Sequence, residues 1–236
     1  MDVAGYTTLG RQSGLMREMQ VVANNMANIS TAGFRREGVV FAEHVKRLAD
    51  EPSISMAHAT GRMVDLTEAG MTMTGGSFDF AIQGEGFFLV ETSQGDRLTR
   101  AGSFTPSPEG ELVNSDGQRL LDAGGAPVFV PPGAGPVSMS EDGTLSVGGV
   151  PVAQIGLWRP ADPLSLRHQS GTLFLGNELE PAEGGRIFQG FLEESNVNPV
   201  SEVARMIEVQ RAYELGQKFL DAEDGRTRSV IATLGR

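Results

Sequence analysis

The sequence predicts an α+β fold: N- and C-terminal amphipathic helices pair, coiled-coil-like, and carry a central β-rich domain of short antiparallel strands. Three observations point there. Residues 61–190 hold 23 of the 31 glycines and residues 106–181 hold ten of the 12 prolines, so turns crowd the middle and the ends are left suited to helix. Near the N-terminus Tyr6, Leu9, Met16, Met19, Ala23 and Met26 recur at helical spacing. Near the C-terminus Met206, Tyr213 and Leu220 are seven apart, with Val203, Gln210 and Gln217 as the interleaved seam position. Two glutamines among those six weaken the stripe.

The first helix is expected over residues 3–29. Asn24, Asn25 and Asn28 crowd its last turns, where the short amide competes for backbone hydrogen bonds. Gly33 can take positive φ and end the helix, and Phe34 follows as a hydrophobic anchor. Two readings fit this stretch: a helix end that is merely Asn-rich, or amides lining one face for partners on another chain. Residues 1–34 form the first segment, and residues 35–75 read as an extended linker. Within the linker Val39, Val40 and Phe41 begin a strand, Glu43 to Leu48 suit a helical turn, and Pro52 to Thr60 suit a loop with extended chain after it.

The β-rich domain spans 76–194. Phe78, Phe80 and Ile82 alternate with Asp79, Ala81 and Gln83, the pattern of a half-buried strand. After the Gly84-Glu85-Gly86 turn, Phe87 to Val90 is an apolar run suited to a more buried one. Gln94-Gly95, Glu109-Gly110, Asp116-Gly117, Gly124-Gly125, Asp142-Gly143 and Gly148-Gly149 then punctuate short strands, with Val152 to Trp158 and Thr172 to Leu175 as the last core strands. Residues 195–236 return to helix. Asn198 is placed to cap it, Pro199 to occupy its first position and Glu202 to meet the positive end of its dipole. Gly225 interrupts the stripe before Thr227, Ile231 and Leu234 resume it. Two such helices seal only part of each other's apolar surface, and the remainder invites neighbouring subunits.

The net charge of −11 argues against a nucleic-acid partner and against an anionic membrane surface. No run approaches the roughly 18–20 apolar residues of a membrane span, and residues 1–30 carry no ordinary cleavable secretory signal. The chain has no cysteine, so thiol chemistry is excluded. His44, His58 and His168 are scattered without metal-ligand spacing, and Gly84-Glu85-Gly86 is half a dinucleotide fingerprint, with Leu89 where the third glycine belongs. No catalytic constellation, cofactor or metal is expected. Asn28-Ile29-Ser30 matches a glycosylation sequon by coincidence.

The run Ala23 to Phe34 resembles the N-terminal signature of the bacterial flagellar rod and hook proteins. The resemblance continues through Thr74-Gly75, the stretches Asp79 to Phe88 and Leu98 to Phe104, Asn196 to Val200, and Met206 to Glu214, so it covers nearly the whole chain. Many relatives carry tyrosine where this chain has Leu98. The resemblance implies terminal helices that pair and build an inner tube, with the β-rich middle outside them. It also implies a structural, non-enzymatic subunit of the basal-body rod that leaves through the flagellar export apparatus with its N-terminus uncleaved. Implied partners are further copies of itself, the rod proteins FlgB, FlgC and FlgG, and that apparatus. Both the proximal and the distal rod remain open, the short middle and the opening Met1 to Leu9 favouring the proximal one. The expected assembly residues are Leu9, Met16, Val203, Met206, Ile207, Tyr213 and Leu220, with Asn24, Asn25, Asn28, Gly33 and Phe34 at the end of the first helix. The alternative outside the family is a free-standing β-domain that binds a small ligand or carbohydrate.

Overall fold

Two long helices, α1 (Val3–Ala27) and α2 (Pro199–Leu234), bracket a succession of short strands, which pair antiparallel wherever their register is defined. This is the α+β arrangement that the glycine and proline distribution predicts. The computed structural model describes residues 3–46, 54–133 and 135–234. The chain divides into two compact units, one of Met1–Ala27, Glu37–Met63 and Asn198–Arg236, the other of Asn28–Arg36 and Val64–Val197.

The first unit joins α1, α2 and a two-stranded sheet of Glu37–Lys46 and Ile54–Val64. The sheet corrects two expectations. Glu43 to Lys46 is strand rather than helical turn, and the chain is already extended from Ile54 rather than looped to Thr60. Residues 47, 48, 52 and 53 of those two readings lie outside the described residues. α2 starts where its capping chemistry dictates. Asn198 Oδ1 accepts from Ser201 N and Asn198 O from Glu202 N, both at 3.1 Å, with Pro199 at the first helical position. Gly225 does not interrupt the helix, and the hydroxyls of Thr227 and Ser229 donate back to Glu223 O and Gly225 O.

The second unit centres on a seven-stranded sheet in the order Arg167–Ser170, Leu173–Leu175, Gly95–Thr99, Phe88–Thr92, Arg119–Leu120, Leu112–Val113, Thr105–Pro106. A three-stranded sheet (Val137–Met139, Thr144–Val147, Val150–Gln154) and three two-stranded ladders complete it. Phe88–Thr92 shows why its apolar run is continuous. Phe88 and Val90 pack into one core cluster with Phe80, Leu112, Leu120 and Leu145, while Phe87 and Leu89 pack into a second with Leu98 and Phe174. A strand with core on both faces has no polar face to alternate with. The same reason overturns the half-buried reading of Phe80–Gln83, where Ala81 is as buried as Phe80 and Ile82.

A buried ion cluster ties this unit together. Glu193 Oε1 lies 2.8 Å from Arg35 Nη2 and its Oε2 lies 3.1 Å from Arg100 Nη1, and all three side chains are almost fully enclosed. Each arginine also donates to backbone carbonyls, Arg35 to Thr67 O and Arg100 to Ile82 O and Gly84 O. Ala69 N donates to Glu193 Oε1, and Arg100 stacks over the Phe87 ring with 5.3 Å to the centroid. Burial pushes the pKa of both guanidiniums down, and Glu193 opposes it. Glu193→Gln keeps the shape and removes the charge, leaving two buried cations without their shared anion. It is expected to lower the unfolding free energy by about 3–5 kcal/mol in a urea melt. A loss below about 1 kcal/mol, the range of an exposed pair, would show the cluster to be solvated.

Candidate functional site

α1 turns hydrogen-bonding residues inward. Gln12, Glu18 and Asn25 are buried, together with Val21 and Val22. Asn25 exchanges two hydrogen bonds with the backbone of Glu37, Nδ2 to Glu37 O at 2.9 Å and Glu37 N to Oδ1 at 3.0 Å, as a neighbouring strand residue would. Its Nδ2 also donates to Glu202 Oε2 at 3.1 Å. Arg205 Nε donates to Glu18 Oε1 at 2.6 Å, and Gln12 Nε2 donates to Tyr213 O at 2.9 Å. Gln12, Glu18 and Asn25 each make at least one hydrogen bond, which lets them occupy positions normally reserved for apolar residues, although Gln12 Oε1 is enclosed without a hydrogen-bond partner.

Most of the apolar stripe predicted for α1 faces the other way, with Met19 half-buried. Leu9 is 51% exposed and Met16 41%, and Met26 and Ala23 are exposed as well. The side chain of Tyr6 lies outside the described residues. On α2 the inward positions are Glu202, Met206, Val209, Tyr213, Gly216 and Leu220, so Met206, Tyr213 and Leu220 occupy the half-buried stripe. The interleaved position is displaced by one residue from the expected Val203, Gln210 and Gln217, all of which are exposed, as is Ile207 at 45%. Periodicity locates an apolar stripe but not its direction, and here hydrogen-bonded polar residues share the inward face with Val21, Val22 and Val209. Beyond Asp224 all of α2 to Leu234 is exposed, including Val230 and Ile231. Leu15, Leu215 and Phe219 line a groove of about 360 Å³ along the helix pair.

The asparagine-rich stretch serves the chain itself at two levels. Asn25 is wholly enclosed and bonded within its own chain, so it does not await an amide partner from another. Asn24 and Asn28 are half-buried, and Asn28 O accepts from Thr31 N at 3.1 Å in the turn that follows α1. Gly33 does not end α1, which stops at Ala27. Its φ of +72° lets its N–H reach Glu193 O at 2.8 Å while passing against the Arg100–Ala101 backbone. Phe34 is fully buried with its ring edge-on to His168 at 5.3 Å, and His168 in turn meets Phe174 at 5.1 Å. Gly33 and Phe34 are therefore interior residues of the β-rich unit and offer no exposed surface for assembly. The outward apolar residues include Leu9, Met16, Met26, Val203, Ile207, Leu215 and Phe219, of which Leu9, Met16, Val203 and Ile207 are among the assembly residues that the sequence singles out. Gln12, Glu18, Glu37, Glu202, Arg205 and Gly216, which hold the helices, are not legible from the apolar pattern. Within α1 the one signal is that Glu18 and Asn25 stand seven residues, about two turns, apart on one face, whereas Gln12 lies six residues before Glu18 and off that face.

Two known protein families match parts of the chain. Residues 81–147 match the flagellar hook protein FlgE/F/G D1 domain and residues 189–233 the C-terminal domain of the flagellar basal body rod FlgEFG proteins. Among individual relatives, the flagellar basal-body rod protein FlgF of Caulobacter vibrioides is 40% identical, with 100% of this chain and 99% of that one aligned. The FlgF of Mesorhizobium japonicum is 36% identical over 98% of this chain and 97% of its own. The flagellar basal-body rod protein FlgG of Bacillus subtilis is 27% identical over 96% of this chain and 97% of its own.

Gly33→Ala tests the interior role of this glycine. The added Cβ would stand 2.2 Å from Ala101 N, at a φ that side chains rarely adopt. Strain and overpacking together are expected to cost about 2–4 kcal/mol of unfolding free energy, measured by urea melt. A change within about 0.5 kcal/mol would contradict the close approach.

Proposed function

Since the chain belongs to the family of flagellar basal-body rod proteins, with FlgF favoured over FlgG, we propose that it joins its neighbours through the outward apolar faces of α1 and α2. It is a structural subunit of the basal-body rod and works with other flagellar rod and hook proteins. The FlgF relatives at 40% and 36% identity, against 27% for a FlgG, favour the proximal rod over the distal one. This replaces the reading as a free-standing ligand-binding module.

The observation that carries the assembly reading is the inversion of the helix pair. Buried hydrogen bonds face inward and Leu9, Met16, Met26, Val203 and Ile207 face water. Fully covering one such side chain contributes about 1.5–3 kcal/mol, and among the described residues of the first unit these side chains stay exposed. We take residues 1–34 and 195–236 as the rod segments, coiled-coil-like in their pairing, and 76–194 as the β-rich domain. The copies assemble helically with FlgB, FlgC and FlgG into the drive shaft that spans the periplasm. The export apparatus delivers the chain, and no nucleic acid, cofactor or membrane insertion is involved. Among the described residues no helix is long and apolar enough to cross a membrane. Met206, Tyr213 and Leu220 act one step back, by holding α2 against α1 so that Val203 and Ile207 point outward. Asn24 and Asn28 act at the end of α1, where they set its last turn.

Met16→Asp and Ile207→Asp separate surface from core. Both positions are exposed, so each variant is expected to unfold within about 0.5 kcal/mol of the parent in a urea melt. Each should nonetheless fail to enter isolated basal bodies, and the strains should not swim. Val209→Asp, at a buried site on the same helix, should instead lower stability by about 3 kcal/mol or more. Normal swimming of the Met16→Asp and Ile207→Asp strains would overturn the proposal.

A further inference from the structure

Three polar contacts between the described residues of α1 and α2 are spaced along the pair, and one of them is steric as well as polar. Gln12 Nε2 reaches Tyr213 O only because Gly216 has no side chain: a Cβ there would stand 2.2 Å from the same nitrogen. The other glycine of α2, Gly225, lies nine residues further on, out of step with a heptad repeat. Glu18 meets Arg205, and Asn25 meets Glu202 while its other bonds go to the Glu37 backbone. The apolar members of the seam, Val22, Met206, Val209 and Tyr213, carry no such directionality, since apolar contact is indifferent to a slide that brings one apolar residue in place of another.

We propose that Gln12, Glu18 and Asn25 are the register-determining residues of the helix pair, selecting one alignment among several that apolar packing alone would tolerate. Sliding α1 by one heptad takes Asn25 from Glu202 to Val209, Glu18 from Arg205 to Ala212, and Gln12 from the Gly216 slot to Glu223. All three polar groups then lose their partners on α2 together, and the side chain at position 12 meets a bulky neighbour. A buried polar residue that loses its partner out of register is the best-attested way for a helix pair to specify alignment. Register also fixes how far α2 runs past α1. The observed alignment leaves roughly the last ten residues of α2, from about Gly225 to Leu234, beyond the start of α1, a length of about 15 Å. The inference concerns the monomer and stands whether or not the exposed faces are the rod contacts.

The chain has no cysteine, so spin labels can be placed at will. Gln20→Cys and Lys218→Cys are exposed positions on the two helices, and the distance between labels is read by pulsed dipolar spectroscopy on dilute full-length protein. The parent should give one distance. With Gln12→Leu, Glu18→Leu and Asn25→Leu combined, further populations should appear, displaced by up to about 10 Å, one heptad of rise, with far-UV helix signal retained. Gly216→Leu, which blocks the slot and leaves Glu18 and Asn25 in place, should also move the distance. A single parental distance in both variants would overturn the proposal. Loss of helix signal in the triple variant would overturn it too, because the contacts would then hold the helices together rather than choose between alignments.

Discussion

Glu193 is the anion on which the β-rich unit converges. Its carboxylate receives Arg35 from the segment after α1, Arg100 from the strand end at Thr99 and the Ala69 amide, and its own backbone carbonyl receives Gly33. Through the two arginines it fixes the carbonyls of Thr67, Ile82 and Gly84. Four stretches separated in sequence, at residues 33–35, 67–69, 82–84 and 100, are thus held by one residue. Such a cluster adds little net stability compared with a well-packed apolar core, but it tolerates no alternative arrangement, because any rearrangement leaves a charge enclosed and unpaired. The tight glycines around it follow from the same requirement. Gly33 must lie against the Arg100–Ala101 backbone, and at Gly102 a Cβ would stand 1.7 Å from Phe80 O.

The first unit uses the same currency differently. Asn25 stands in for a strand residue toward Glu37 and for a helix-pairing residue toward Glu202, so one amide orients α1 against both a strand and α2. Interior hydrogen bonds contribute only about 1 kcal/mol each in net terms. The helix pair is therefore specified more than it is stabilised, and the side chains best able to stabilise it, Leu9, Met16 and Ile207, face water.

Legibility in the sequence divides along this line. The two helices, the Asn198 cap, the buried strand at Phe87 to Val90 and the glycine turns at Gly95, Gly110, Gly117, Gly125, Gly143 and Gly149 are local matters of periodicity, capping and positive φ, and each could be read directly. The outward turn of the α1 stripe could not, because hydrophobicity carries no sign for inside and outside once polar residues find partners. Nor could the sheet of Glu37–Lys46 and Ile54–Val64, since Asn25 pairs with the Glu37 backbone and that pairing is invisible to a window of neighbouring residues. Gly33 was legible as a positive-φ residue, yet its reason lies 68 residues away at Ala101.

The inversion of α1 has a consequence for how such a chain stays available to others. Were Leu9, Met16 and Met26 turned onto α2, the pair would bury its own apolar surface, become self-sufficient, and leave a polar exterior with little to offer a neighbour. Placing Gln12, Glu18 and Asn25 in the seam lowers the stability of the isolated pair and fixes its alignment at the same time, so the exposed apolar residues appear at defined positions along the helices. A surface built this way is weak in any alignment but one, since neighbouring chains must match a fixed spacing of apolar side chains to cover them. For a subunit that has to remain unassembled at one stage and associate without error at another, low self-sufficiency and high positional specificity are the same structural choice, made by three polar side chains of α1.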